Sequence, residues 1–215
     1  MGTRPRSARH DALGAALAAL LGLGPAACTT PAPREEDGAT ERDYVAHLSY
    51  AVGYKPLDAG WGSAADQVQV GMLDFDFRKK AWPVSLAGQF LFTYESDVPP
   101  GAPANTDNSG TWELNLGLRR YWGDGDWQPF LGAGVSVVGA SVSETVHFPF
   151  SGTVNVQEDH DSTLATWLGG GLVWELDGWF TGLEVHHTFD ADVRLAGQPL
   201  DAGGWTFSLL FGASW

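Results

Sequence analysis

The chain has 215 residues, a net charge of −14 and a sequence pI near 4.5, which speaks against nucleic acid as a partner because phosphate binding needs clustered Lys and Arg. It holds 28 Gly, 10 Trp and 11 Phe with only 18% charged residues, a profile of strands and turns rather than helices. Its one cysteine, Cys28, excludes an intramolecular disulfide.

Arg4, Arg6 and Arg9 precede an apolar run from Ala12 to Gly24, so residues 1–28 read as a secretory signal segment. The run is too short to span a bilayer as a helix. Cys28 follows Pro25-Ala26-Ala27 and resembles the lipobox of bacterial lipoproteins, whose cysteine becomes acylated. Pro25 stands where that motif prefers an aliphatic residue, so lipidation of Cys28 and plain cleavage near Ala26 or Ala27 both stay open. Residues 29–42 have no apolar period and read as a flexible periplasmic tether.

From residue 43 onward the pattern has a period of two. In Tyr44–Tyr54, Tyr44, Ala46, Leu48, Tyr50, Val52 and Tyr54 share a face. Val68–Phe77 is less regular, with Val68, Val70 and Met72 on one face and Leu73, Phe75 and Phe77 on the other. A bulge near Met72 or Leu73 is the expected reconciliation. Val84–Glu95, Thr111–Trp122 and Pro129–Val142 alternate cleanly. Thr163–Leu176 is Gly-rich, and Trp167 could face either way. Trp179–Phe189 alternates again. The last strand sets Trp205, Phe207, Leu209, Phe211, Ala213 and Trp215 against Thr206, Ser208, Gly212 and Ser214, with Leu210 the exception.

The connections alternate in length. Those near 55–66, 96–110, 143–162 and 195–204 are long and polar; those near 78–83, 123–127 and 177–178 are short. Trp82, Trp122, Trp127, Trp174, Trp179 and Trp215 sit beside the short turns or the last residue, as an interfacial girdle would. Tyr54, Trp61, Tyr94, Trp112 and Trp205 fall toward the other rim. Closure of such strands leaves no edge and satisfies every backbone donor in lipid. The expected fold is therefore all-β: an eight-stranded antiparallel up-and-down transmembrane barrel over residues 43–215.

The terminal strand WTFSLLFGASW, with segments such as WELNLGLRRYW and QPFLGAGVSV, resembles the small eight-stranded bacterial outer membrane barrels of the OmpA, OmpX and OmpW type. The resemblance implies an outer membrane location with periplasmic termini. It also implies a monomer surrounded by outer membrane lipid and lipopolysaccharide, with Trp215 read by the barrel assembly machinery. It implies a non-enzymatic role in envelope integrity or surface interaction through acidic loops, or passage of small hydrophobic solutes as in OmpW-like proteins.

A barrel of this size has an interior that side chains or one small ligand can fill. The strand parity turns His47, Gln89, Glu95, Glu113, Asn115, Arg119, Glu175, Glu184, His186 and Thr188 inward. Arg119 is the one basic residue of that set, so a polar plug is expected in which Arg119 pairs with Glu175 or Glu184 and His186 bonds nearby. His186 and Thr188 also have the His-x-Ser/Thr spacing of the PagL-type lipid A deacylases, with Asp201 as the downstream acid. The resemblance implies a hydroxyl nucleophile, an imidazole base and a carboxylate orienter. Thr188 replaces the family's Ser, Phe189 stands where Asn is usual, and His186 and Thr188 face the lumen rather than lipid. His147, Glu158, Asp159, His160 and Asp161 form a loose acidic cluster that reads as a solvated loop rather than a metal site. No phosphate-binding Gly loop or CxxC pair is present, and no cofactor is expected.

Overall fold

A computed structural model describes residues 43–57, 61, 69–97, 105–123, 125–148, 152–195 and 197–215; the signal segment, Cys28 and the tether lie outside the described residues. Among the described residues ten strands run in chain order: β1 Tyr44–Tyr54, β2 Gln69–Lys79, β3 Ser85–Asp97, β4 Asn105–Tyr121, β5 Trp127–Phe148, β6 Gly152–Leu176, β7 Trp179–Phe189, β8 Asp192–Leu195, β9 Gln198–Asp201 and β10 Gly204–Ser214. Eight close into an antiparallel barrel in the order β1-β10-β7-β6-β5-β4-β3-β2, and β8 and β9 form a separate hairpin.

The barrel closes between the first strand and the last. His47 pairs with Ser214 and Tyr54 with Phe207. Ala46 N donates to Trp215 O at 2.9 Å, and Trp215 N donates back to Ala46 O at 3.1 Å, so the final residue is held in the ladder. No strand of the barrel is left with an open edge, which is the condition for a sheet to sit in hydrocarbon.

The outward faces are apolar. Leu48, Phe75, Leu116, Val135, Leu183 and Phe211 are each more than half exposed. Aromatic rings on this face lie over glycines of the neighbouring strand. A Cβ on Gly71 would meet Phe92 Cζ at 2.3 Å, and one on Gly139 would meet Trp112 Cε2 at 2.2 Å. At the short-turn end, Trp127 and Trp174 stack with centroids 5.3 Å apart. The β6–β7 turn is Asp177-Gly178, both with positive φ (36° and 87°), the two-residue hairpin that matches strand twist.

Several expectations need correction. β2 keeps an unbroken register with β1 and β3, so there is no bulge at Met72 or Leu73. Val70 and Met72 instead pack inward with Ala51, Leu91 and Leu210, and Asp74 and Asp76 point inward after them. The segment near 143–162 is mostly ladder rather than loop. β4, β5 and β6 run 17, 22 and 25 residues and pair with one another beyond the apolar belt. There the sequence lacks the apolar alternation that marks a strand, while the backbone pairing continues. Trp61 is buried in the mouth of the barrel, not set in the outer girdle.

Candidate functional site: a filled lumen

Strand parity puts Ser49, Asp74, Gln89, Asn115, Arg119, Glu184 and Thr206 inside the barrel, each at most 3% exposed. Buried charges at this density require partners. The structure supplies them in two layers.

The lower layer lies toward the short turns. The Arg119 guanidinium donates to both carboxylate oxygens of Asp74, Nη2 to Oδ1 at 2.7 Å and Nη1 to Oδ2 at 2.8 Å. This two-point fork is the strongest geometry available to arginine. Nη1 also reaches Asp76 Oδ2 at 3.3 Å, and the Tyr121 hydroxyl donates to the same oxygen. His47 bridges from Asp76, 3.1 Å from Nδ1, to Glu175, 3.2 Å from Nε2. The guanidinium lies 4.8 Å over the Phe130 ring, and His47 meets Phe180 edge-on at 5.3 Å.

The upper layer centres on Glu113. Lys55, just past the end of β1, pairs with Glu113 Oε1 and donates to Ala202 O at 2.6 Å. The Thr188 hydroxyl donates to Glu113 Oε2 at 2.7 Å, and His186 Nε2 lies 2.9 Å from Thr188 Oγ1. Gln89 Nε2 donates to Glu184 Oε1 at 2.8 Å, and Glu184 Oε2 sits 3.8 Å from Arg119 Nη2, which links the layers.

Between the layers, Trp167 turns inward and stacks on His186 with centroids 5.5 Å apart. Glycines make room for the indole. A Cβ on Gly117 would come within 2.7 Å of Trp167 Cζ2, and one on Gly132 within 3.0 Å of its Cη2.

Above the upper layer the hairpin β8–β9 folds into the mouth. Val193 and Leu195 pack with Ala191, Ala202, Leu57 and Trp61 against Val138, Ala140 and Ala165 of the wall. Trp61 Nε1 donates to Asp201 O at 2.8 Å. Arg194 N donates to Asp161 Oδ2 at 2.7 Å. Asp161 stands above the apolar belt, and the amides of Arg194 and Ser162 hold its carboxyl below the usual aspartate range.

All five residues expected in the polar network, Arg119, Glu113, Glu175, Glu184 and His186, face the interior, but their pairing differs. Glu175 pairs with His47, and the main partner of Arg119 is Asp74. Arg119 is not the sole basic residue inside, because Lys55 is equally buried. Asp74 and Asp76 could have been found in Leu-Asp-Phe-Asp-Phe (73–77), where outward Leu and Phe force both aspartates in; the assumed bulge concealed them. Lys55 carried no such signal, since it lies beyond the alternating run.

The three residues of the deacylase resemblance, His186, Thr188 and Asp201, are not all brought together. His186 and Thr188 are adjacent, but the Thr188 proton goes to Glu113, and both side chains lie beneath the hairpin. Asp201 is exposed on β9, its Oδ1 accepting from Gly203 N at 2.9 Å; among the described residues no hydrogen bond joins it to His186. Glu158, Asp159, His160 and Asp161 lie along β6 rather than in a loop, and the side chain of His147 is outside the described residues. Among the described residues no cluster of three or more His, Cys, Asp or Glu is arranged to hold a metal ion.

No protein-family model and no curated protein matches the chain. Solved structures do. Neisserial surface protein A is 9% identical with a TM-score of 0.51, covering 80% of this chain and 96% of its own. Ail, the attachment invasion locus protein of Yersinia pestis, solved with the heparin analogue sucrose octasulfate, is 12% identical with a TM-score of 0.52, over 80% and 97%. A major outer membrane protein from Thermus thermophilus is 12% identical with a TM-score of 0.52, over 81% and 99%. At these identities the likeness is one of architecture, and it agrees with the closed barrel on strand number and pairing: the chain has the fold of the small eight-stranded outer membrane barrels.

Proposed function

We propose that this chain is a closed, non-conducting outer membrane barrel whose work is done at its exposed rim, in surface interaction or envelope integrity. The carrying observation is the double seal of the lumen. Arg119, Asp74, Asp76 and His47 occupy its lower half, and the β8–β9 hairpin packs into its mouth over Lys55 and Glu113. A solute would have to displace both. The apolar outer face and the tryptophans at the short-turn end support insertion in a bilayer with the short turns periplasmic. The rim is poor in cations: after Arg120 the one Lys or Arg is Arg194. That composition suits partners that carry cations or hydroxyls rather than phosphate-rich ones.

The mature chain, refolded in phosphatidylcholine liposomes, is expected to show a heat-dependent gel shift and no flux of ions or small solutes. Replacing residues 192–201 with a short turn removes one seal, and flux should still be absent. Adding Arg119→Ala and Asp74→Ala removes the second, and flux should then appear. Reproducible flux through the unaltered chain would overturn the reading in favour of a solute path. Absence of a gel shift would overturn the barrel itself.

A further inference from the structure

The described Lys and Arg residues fall into three sets. Lys55 and Arg119 are sealed in the lumen, and Arg194 lies in the β8–β9 hairpin. The rest, Arg78, Lys79, Lys80 and Arg120, stand at the short-turn ends of β2 and β4, in a chain whose net charge is −14. The tryptophans of that end run round the barrel, from Trp82 before β3 to Trp174 and Trp179 at the β6–β7 turn. The cations do not. From Tyr121 to Phe189 the chain has no Lys or Arg, and Asp126 and Asp177 occupy the short turns there. A cationic tip at every strand end would be ordinary snorkelling. One cationic arc in an otherwise acidic chain is a local feature.

Strand register sets two of the four on one outward row. Phe77 on β2, Leu86 on β3 and Leu118 on β4 are cross-strand partners, and Phe77 and Leu86 are exposed on the apolar outer face. Alternation returns to that face two residues on, at Lys79 and Arg120. Lys79 is exposed and pairs with Tyr44, whose ring lies 5.7 Å from that of Phe77. The register, continued by one pleat, sets Val84 between Lys79 and Arg120, which puts their backbones two strand spacings or about 10 Å apart. Both side chains are long enough to meet over Val84. The Arg120 guanidinium lies 5.6 Å over the Trp122 ring. A guanidinium on a ring directs its N–H groups sideways, and their fork matches two oxygens of a phosphate. Backbone bonds fix both ends of the row: Trp82 N donates to Lys79 O at 2.8 Å, and Trp122 N donates to Pro129 O at 2.9 Å. The neighbouring acids fall outside it. Asp43, whose carbonyl accepts from Lys80 N, is on the β1 side of β2, and Asp126 is on the β5 side of β4. Arg78 alternates to the inner face with Asp74 and Asp76.

We propose that Lys79 and Arg120 hold the headgroup phosphate of one anionic glycerophospholipid on the outside of β2–β4, with its acyl chains along the row of Phe77, Leu86 and Leu118. The site rests on the membrane-barrel reading, since only a barrel in a bilayer brings a lipid phosphate to the end of an apolar row. Net charge selects the lipid. In a zwitterionic headgroup the cation beside the phosphate is repelled by the same two side chains, whereas a glycerol headgroup brings no such cation. Trp82 and Trp122 sit at the level where a ring half in hydrocarbon and half in the headgroup layer is favoured, which places the phosphate at the height of Lys79 and Arg120. No bond is made or broken.

The test uses the refolded chain in phosphatidylcholine nanodiscs doped with phosphatidylglycerol or, separately, phosphatidylethanolamine. Native mass spectrometry reads which lipid stays bound, and a heat-dependent gel shift is recorded for every variant. Phosphatidylglycerol should be retained over phosphatidylcholine by roughly tenfold, the size expected for two cations at a lipid surface with partial screening. Lys79→Gln and Arg120→Gln should each lower that preference severalfold, and together bring it near parity. Lys79→Arg keeps the charge and should keep the preference. Arg194→Gln removes a cation at the other end of the barrel and should leave the preference unchanged. Equal retention of phosphatidylglycerol and phosphatidylcholine by the unaltered chain would overturn the site. So would phosphatidylethanolamine retained as well as phosphatidylglycerol, or a preference that survives the double substitution. A loss with Arg194→Gln as large as with the double would trace the preference to overall charge and overturn the site too. A chain with no gel shift would instead overturn the barrel reading on which the site depends.

Discussion

At the short-turn end, every side chain of the charge layer comes from a barrel strand: His47 from β1, Asp74 and Asp76 from β2, Arg119 and Tyr121 from β4, and Glu175 from β6. At the long-loop end, the lumen is closed by chain that leaves the barrel and returns. Lys55 follows β1, and the hairpin belongs to the connection between β7 and β10. The lower layer is thus fixed by the same register that closes the barrel, whereas the upper seal can open with the strands intact. The lower half should therefore contribute to global stability, and the upper half should open locally at smaller cost.

The largest effect is expected at Arg119. Arg119→Met leaves Asp74 buried without its cation and Asp76 with His47 and the Tyr121 hydroxyl only, and removing one partner of such a pair costs about 3–5 kcal/mol. The denaturant midpoint of the folded, heat-modifiable form should fall accordingly. Adding Asp74→Asn and Asp76→Asn should restore much of the loss, because the uncompensated charges go with them. A loss under about 1 kcal/mol would mean that water reaches the lower layer, as it does for surface pairs.

Lys55→Met comes next. Glu113 loses its ion pair but keeps the Thr188 hydroxyl, with His186 Nε2 at 3.6 Å. The expected cost is about 1.5–3 kcal/mol, the worth of a hydrogen bond to a charged group. Its sign of local origin would be faster proteolysis within residues 190–203 than elsewhere. Leu195→Ala probes the apolar side of the same seal. Leu195 is 2% exposed at the mouth, so truncation should favour hairpin opening by about 2 kcal/mol, the low end for a buried leucine. Cleavage of the hairpin should rise while the denaturant midpoint of the barrel stays put. A midpoint that falls with Leu195→Ala would erase the proposed distinction between the two halves.

The sequence made the wall legible and the seal illegible, for physical reasons. Outward residues obey one demand, contact with lipid, so Leu114, Leu116, Phe207 and Leu209 announce their face through period two. Inward residues obey a demand that depends on what lies across the barrel. Arg119 was legible as buried, yet its partner on β2 is 45 residues away, and nothing local chooses Asp74 over Glu175. Asp-Val-Arg-Leu (192–195) is too short to read as a strand, and its burial depends on the barrel mouth rather than on its own pattern. Trp167 was ambiguous for a related reason. Glycines on both neighbouring faces of β6 remove the contrast that sets parity, and those across the lumen-side ladder are what admit the ring.

The smallest effect is expected at Asp161, where the tall wall holds the hairpin by one exposed carboxylate, the acceptor for Arg194 N. Its pKa is depressed by hydrogen bonds from the Arg194 and Ser162 amides, so it favours the docked hairpin when ionised. That contribution is fully present above the ordinary aspartate pKa, about 3.9, and fades as pH falls through the lower docked value. Hairpin protection from an acid-stable protease should therefore be flat from neutral pH down to roughly 4 and weaken only below it. Asp161→Asn keeps an acceptor without the titration, so its protection should be slightly lower and flat across the whole range. If the variant also weakens below roughly 4, the acid sensitivity lies in the buried carboxylates beneath the hairpin, and the seal is then set by the lumen rather than by the wall that overhangs it.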